Sequence, residues 1–223
     1  MSPRVRLSRA SADGLAPLRR VWPGVLLLSA LIAAGCGQQH DAAPSSSSRP
    51  GSPQAVAAAS PSEPSLFELS FPLTDSHGRT RHLEELRGQP FVASMVYTSC
   101  TSVCPRITAD LQRLERALPS DVRARTRFVL FSLDPERDTP AALRAFARDH
   151  ALDSTRWTLL AAGPDDMRTL AAVLDVRFRP DPGGEIAHSA VIVVAGGDGV
   201  IRHRQAGLGT GDSLLVAAVR AAQ

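Results

Sequence analysis

After residue 64 the hydrophobic and polar positions change period repeatedly, and each change marks an element. Leu66 to Leu73, interrupted by Pro72, reads as an edge strand, since proline lacks the N–H that a central ladder needs. Asp75-Ser76-His77-Gly78 is turn chemistry, and Arg79 to Leu83 returns as its hairpin partner. Phe91 to Tyr97 is a continuous run suited to a strand buried on both faces. Ile107, Leu111, Leu114 and Leu118 recur at helical spacing after Pro105, and Pro119 ends that helix. Phe128 to Leu133 is a second buried strand. Thr139-Pro140 opens a helix with a capping hydroxyl and a proline in the first turn, which turns Leu143 and Phe146 toward the core. Trp157 to Leu160 is a short extended stretch and Asp165 to Leu174 a helix. Ser189 to Val194 and Val200 to Arg204 are strands joined across Gly196-Gly197-Asp198-Gly199, and a helix from Asp212 closes the chain.

Strands alternating with helices predict an α/β fold, a central mixed sheet with some parallel pairs, flanked by helices and preceded by an N-terminal β-hairpin extension. Residues 65–223 form one domain, long enough to bury about 70% of the unfolded chain's surface. No internal repeat is evident.

The first 64 residues follow other patterns. Arg4, Arg6, Arg9, Arg19 and Arg20 precede the apolar run Val25 to Ala34, which ends in Gly35-Cys36. A positive flank, a short apolar stretch and small residues at its end make residues 1–36 a signal peptide. The run falls short of the roughly 20 apolar residues that span a bilayer. Ala33-Ala34-Gly35-Cys36 resembles a bacterial lipobox, which implies lipidation of Cys36, a membrane anchor and removal of that sulfur from thiol chemistry. In residues 37–64, 18 of 28 are Ala, Pro or Ser, too little apolar surface to offset the entropy of ordering, so a disordered linker is expected. Flexible-coil scaling gives it a reach of roughly 30 Å.

Composition narrows the class. Apolar residues are 43% and charged residues 21% of the 223, close to globular averages, which excludes wholesale disorder and a multi-span membrane protein. The net charge of +3 suggests nucleic acid only until it is located. Residues 1–36 hold five of the 25 basic and one of the 22 acidic residues, which leaves 20 against 21. A basic footprint for nucleic acid is therefore absent from the mature sequence.

Beyond Cys36 the only cysteines are Cys100 and Cys104, in Tyr97-Thr98-Ser99-Cys100-Thr101-Ser102-Val103-Cys104-Pro105. They lie between a buried strand and a helix start, where unpaired N–H groups and the helix dipole favour thiolates. Both sulfurs can face one space if the turn is helix-like, to form a disulfide or to grip a small soft cation. A structural disulfide would close a loop of only five residues and stabilise little.

Three further stretches carry a resemblance. Cys100-x-x-x-Cys104-Pro105, then Ser132-Leu133-Asp134-Pro135-Glu136-Arg137-Asp138-Thr139-Pro140, then Ala187-His188-Ser189 before an apolar strand and Gly197-Asp198-Gly199, together resemble the Sco/SenC family over residues 66–210. That resemblance implies a thioredoxin-like fold tethered outside the cytoplasm, on the periplasmic side of the cell envelope. It implies copper as the bound metal, with Cys100, Cys104 and His188 as ligands. It further implies delivery to the CuA site of cytochrome c oxidase, or reduction of that site's cysteines, with other copper chaperones or thiol reductants as further partners. The donor set agrees with this, because thiolates select Cu(I) and an added imidazole suits Cu(II) as well. A structural zinc site normally closes with four protein ligands, and three leave a position open. Asp134, at the end of the second buried strand, is expected to cap a turn or to orient a ligand and tune the site's charge. Asp138 and Thr139 read as helix caps, and Arg137 as the partner of a neighbouring carboxylate. His40 falls in the linker, and His77, His82, His150 and His203 read as solvated.

Two other classes compete. A thiol-disulfide oxidoreductase would use Cys100 and Cys104, although its relatives carry Cys-x-x-Cys and a proline before the facing strand, where this chain has Ile186-Ala187-His188. A peroxidase of the peroxiredoxin type needs one cysteine with threonine and arginine support, and the paired cysteines fit it poorly.

Overall fold

The computed structural model describes residues 64–209 and 212–223. The expected signal peptide, Cys36, His40 and nearly all of the expected linker therefore lie outside the described residues. Strands β1 (Leu73–Asp75) and β2 (Thr80–Arg81) form a hairpin. Then follow β3 (Phe91–Val96), α1 (Val103–Ala117), α2 (Ser120–Arg125), β4 (Arg127–Ser132), α3 (Pro140–Asp149), β5 (Trp157–Ala162) and α4 (Pro164–Val173). The chain ends with β6 (Phe178–Pro180), β7 (Ile186–His188), β8 (Val191–Ala195), β9 (Ile201–Ala206) and α5 (Asp212–Ala221).

Seven strands make a mixed sheet in the order β2-β1-β5-β4-β3-β8-β9. β3, β4 and β5 run parallel, Val92 opposite Phe128 and Phe128 opposite Trp157, while β1, β8 and β9 are antiparallel to their neighbours. β3 and β8 are buried at every residue, as continuous apolar runs require of strands covered on both faces. α1 packs on α5 and β3, α3 on β1 and β5, and α4 on β5. The parallel strands all end at one pole, the end of an open sheet where ligands bind. No helix among the described residues is long and apolar enough to cross a membrane.

The sheet and its helices match the sequence pattern, with four differences, one of them the short helix α2, which follows Pro119 and was not expected. Leu66 to Leu73 is not a single strand: Leu66–Glu68 is a 3-10 turn, and β1 begins only after Pro72. Leu66 and Phe67 are both buried, and Ser65 Oγ caps the turn by accepting from Phe67 N at 3.1 Å. The hairpin extends the main sheet at one edge as expected, β1 pairing with β5 and β2 forming the rim. α1 starts at Val103, which places Pro105 inside its first turn, where a missing N–H costs nothing. The small β6–β7 sheet was not expected, since Phe178–Pro180 and Ile186–His188 are each three residues long and without alternation.

Candidate metal centre

The loop between β3 and α1 brings Cys100 and Cys104 together because the helix opens without a side-chain cap. Ser102 stands at the N-cap position and makes no capping hydrogen bond. Instead the N–H of Cys104 donates to Cys100 Sγ at 3.3 Å, so a sulfur fills the place of the capping oxygen. The N–H of Tyr97 donates to Cys104 Sγ at 3.4 Å. Both cysteines are buried and reduced.

The two thiols differ. Burial opposes ionisation of Cys100, but hydrogen bonds from the Cys104 thiol and from the Cys104 and Ser102 N–H groups outweigh it and pull the thiol below its ordinary value. Burial pushes the Cys104 thiol up, and its hydrogen bond to Cys100 pushes it the same way. In the metal-free site the first proton therefore leaves Cys100.

His188, the last residue of β7, arrives from 84 residues further along the chain, its Nε2 3.4 Å from Cys104 Sγ. Its Nδ1 lies 3.1 Å from the carbonyl oxygen of Ser189. A carbonyl can only accept, so Nδ1 carries the proton and Nε2 presents its lone pair to the sulfurs. Burial lowers the His188 pKa, which keeps the imidazole neutral and ready to ligate. One ligand atom from each of Cys100, Cys104 and His188 lies within 4.8 Å of the others. Bonds of about 2.3 Å to sulfur place two ligands on one ion at most about 4.6 Å apart, so the arrangement fits a metal with small adjustments.

The polar residues around the site hold its loops. Asp138 does not cap α3; Thr139 does, its Oγ1 accepting from Ala142 N at 3.2 Å. Asp138 instead accepts from Thr98 N at 3.0 Å, Thr98 Oγ1 at 2.6 Å and Ser132 Oγ at 2.6 Å, tying the cysteine loop to the end of β4. Asp134 pairs with Arg137, and Arg137 Nη2 donates to Gly184 O at 2.6 Å, which fastens the turn between β6 and β7. The Asp134 carboxylate thus accepts from Arg137, and its N–H donates to Ser132 Oγ, rather than either meeting the three ligand side chains. Tyr97, which the sequence pattern placed only in a buried strand, donates its hydroxyl to Glu185 Oε2 at 2.7 Å and accepts from Ile186 N at 3.1 Å. A tyrosine immediately after a buried run, beside the cysteines, was the available signal. Of the other histidines, His77 and His82 are exposed, whereas His150 and His203 are half-buried rather than fully solvated, His150 tilted against the Phe146 ring at 4.2 Å.

Known proteins resemble this chain in sequence and fold. The SCO1 protein homolog of Bacillus subtilis strain 168 is 25% identical over 146 residues, 62% of this chain and 74% of that one. A Stutzerimonas stutzeri protein named for copper binding is 26% identical over 134 residues, 58% of this chain and 64% of its own length. The solved structure of Bradyrhizobium japonicum ScoI with copper bound superposes with a TM-score of 0.57 at 24% identity, covering 69% of this chain and 97% of that one. The fold is thus the thioredoxin-like one of Sco structures. The SCO1/SenC family model matches residues 59–221, from just before the first described residue to the last turn of α5, and on that extent the chain belongs to the SCO1/SenC family.

Proposed function

We propose that this protein is a copper metallochaperone acting outside the cytoplasm, which binds Cu(I) and Cu(II) through Cys100, Cys104 and His188 and delivers copper to the CuA site of cytochrome c oxidase. The observation that carries this reading is the convergence of two sulfurs and one imidazole nitrogen within 4.8 Å. Two soft donors with one imidazole suit copper in both oxidation states, and a set of three leaves a position through which a recipient's ligand can enter. The Stutzerimonas stutzeri relative named for copper binding supports the choice of metal. In the same reading residues 1–36 are a signal peptide, Cys36 carries the lipid, and residues 37–64 tether the domain to the periplasmic face of a membrane.

Titration of the reduced domain is expected to give one copper per chain. His188→Ala should weaken Cu(II) binding by more than about 100-fold, beyond the 10- to 100-fold typical when an outer partner is lost, while thiol alkylation is unaffected. Unchanged Cu(II) affinity in that variant, together with rapid turnover of disulfide substrates, would overturn the proposal.

That outcome would favour a thiol-disulfide oxidoreductase that maintains the cysteines of a copper site. The lowered Cys100 thiol beside Cys104 is the observation on its side. In that reaction the two thiols lose two electrons and two protons, closing the Cys100–Cys104 disulfide as the partner's disulfide opens. A deletion strain separates the two readings: added copper restores oxidase assembly under delivery, and a small reductant restores it under thiol maintenance.

A further inference from the structure

The strand that carries His188 belongs to a two-stranded sheet separate from the main one. Beside it a surface hollow of roughly 270 Å³ opens between Asp134, Arg137, Leu133, Met167, Phe178 and Ile186. Ile186 packs into the core, and polar ties add to that packing in placing the hairpin against the cysteines, one residue contributing several of them. Tyr97 is 1% exposed and follows the last residue of β3. Its N–H donates to Cys104 Sγ at 3.4 Å, and its ring stands edge-on to the His188 ring at 5.9 Å between centroids. Its hydroxyl is used twice, donating to Glu185 and accepting from the N–H of Ile186, the residue that opens β7 two positions before His188.

We infer that Tyr97 is a positioning residue that sets the oxidation-state preference of the site, its hydroxyl holding the His188 strand against the two cysteines. This deepens the copper reading above and rests on it. Cu(I) is satisfied by two thiolates, whereas Cu(II) prefers additional nitrogen or oxygen donors and a fixed geometry. A loosened hairpin therefore weakens Cu(II) while leaving Cu(I) with its sulfurs. Tyr97→Phe keeps the buried ring and removes only the oxygen, leaving the Ile186 N–H without its acceptor. Glu185 is exposed, and Glu185→Gln keeps an acceptor oxygen for the phenol.

The test compares wild type, Tyr97→Phe, Glu185→Ala and Glu185→Gln as reduced proteins. Tyr97→Phe is expected to lower Cu(II) affinity by about 10-fold or more, in the range that loss of an outer partner costs, with Cu(I) affinity within about twofold of wild type. The reduction potential of bound copper then rises, by about 59 mV for each tenfold change in that ratio. Glu185→Ala should fall between the two and Glu185→Gln near wild type. Equal loss of both oxidation states, or no change in their ratio, would overturn the inference, since a purely structural role weakens both alike. Amide exchange on the metal-free proteins gives an independent readout: the Ile186 N–H should exchange faster in Tyr97→Phe while β3 and β4 keep their protection. If wild type takes up no copper, the functional reading fails but the clamp is still decided, because unchanged Ile186 exchange would sink it alone.

Discussion

Single residues hold this site by making buried polar groups meet. Asp138 is 2% exposed and accepts three hydrogen bonds, from Thr98 N, Thr98 Oγ1 and Ser132 Oγ. Asp138→Ala strands those donors and should cost about 1–3 kcal/mol in denaturant unfolding, with faster alkylation of both cysteines as their loop loosens. In wild type, Cys100 should react first with iodoacetamide, the rate rising at a lower pH than an ordinary thiol near 8.5, because a lowered pKa yields thiolate earlier. Asp75 shows a sign that can be tested against pH. Burial opposes its charge, yet the N–H groups of Arg79 and His77 and the Arg79 guanidinium hold its pKa below the ordinary 3.8. A lowered carboxylate stabilises the fold fully above its unfolded value and loses that contribution as pH falls through the folded one. Asp75→Asn should therefore lower stability at neutral pH and flatten the acid side of the stability profile. A curve with unchanged acid slope would refute this.

At the scale of elements, the N-terminal 3-10 turn and the β8–β9 turn lock each other. Ser65 Oγ donates to Asp198 O at 2.6 Å, and Leu66 N donates to Gly199 O at 2.9 Å. Gly199 has φ of +78°, and a Cβ there would lie 2.5 Å from Ser65 Oγ and 2.7 Å from the Phe67 ring. Gly199→Ala therefore meets both left-handed backbone strain and a collision with a buried ring. It should cost at least about 2 kcal/mol in thermal or denaturant unfolding, more than a helix cap such as Thr139→Ala at about 1 kcal/mol. The main elements were legible in the sequence because their patterns are long: six buried positions in β3, and Ile107, Leu111 and Leu114 at helical spacing in α1 with Leu118 at its cap. The 3-10 turn and β6–β7 were not, since each is about three residues long and too short to show a period.

Across the whole molecule the metal centre and the attachment point lie at opposite ends of the sheet. Phe91, at the start of β3, pairs with Ala195, which leads into the turn that Ser65 touches, while Cys100 follows the far end of the same strand. The six residues of β3 separate the two by about 20 Å. In the tethered form proposed above, the domain presents its metal site away from Ser65, where the proposed tether joins it. Removing half of that segment should leave copper titration of the domain unchanged and lower copper transfer to a membrane-embedded acceptor. Equal transfer by the shortened and full-length proteins would refute a need for the tether's reach.

The sequence by itself determined the alternation of strands and helices, the pair of cysteines at a helix mouth, and, through motif order, the histidine that joins them. The alternation and the cysteine pair are written in local periodicity and residue chemistry, while His188 follows from the family resemblance, and all of them survive without knowledge of what lies across the sheet. Only the tertiary structure decided which groups complete the site. Asp138 reaches back 40 residues to Thr98, and Tyr97 reaches forward 88 to Glu185. Such pairings depend on strand order and register, which arise when distant segments bury a common core and leave no trace in the spacing of neighbouring residues.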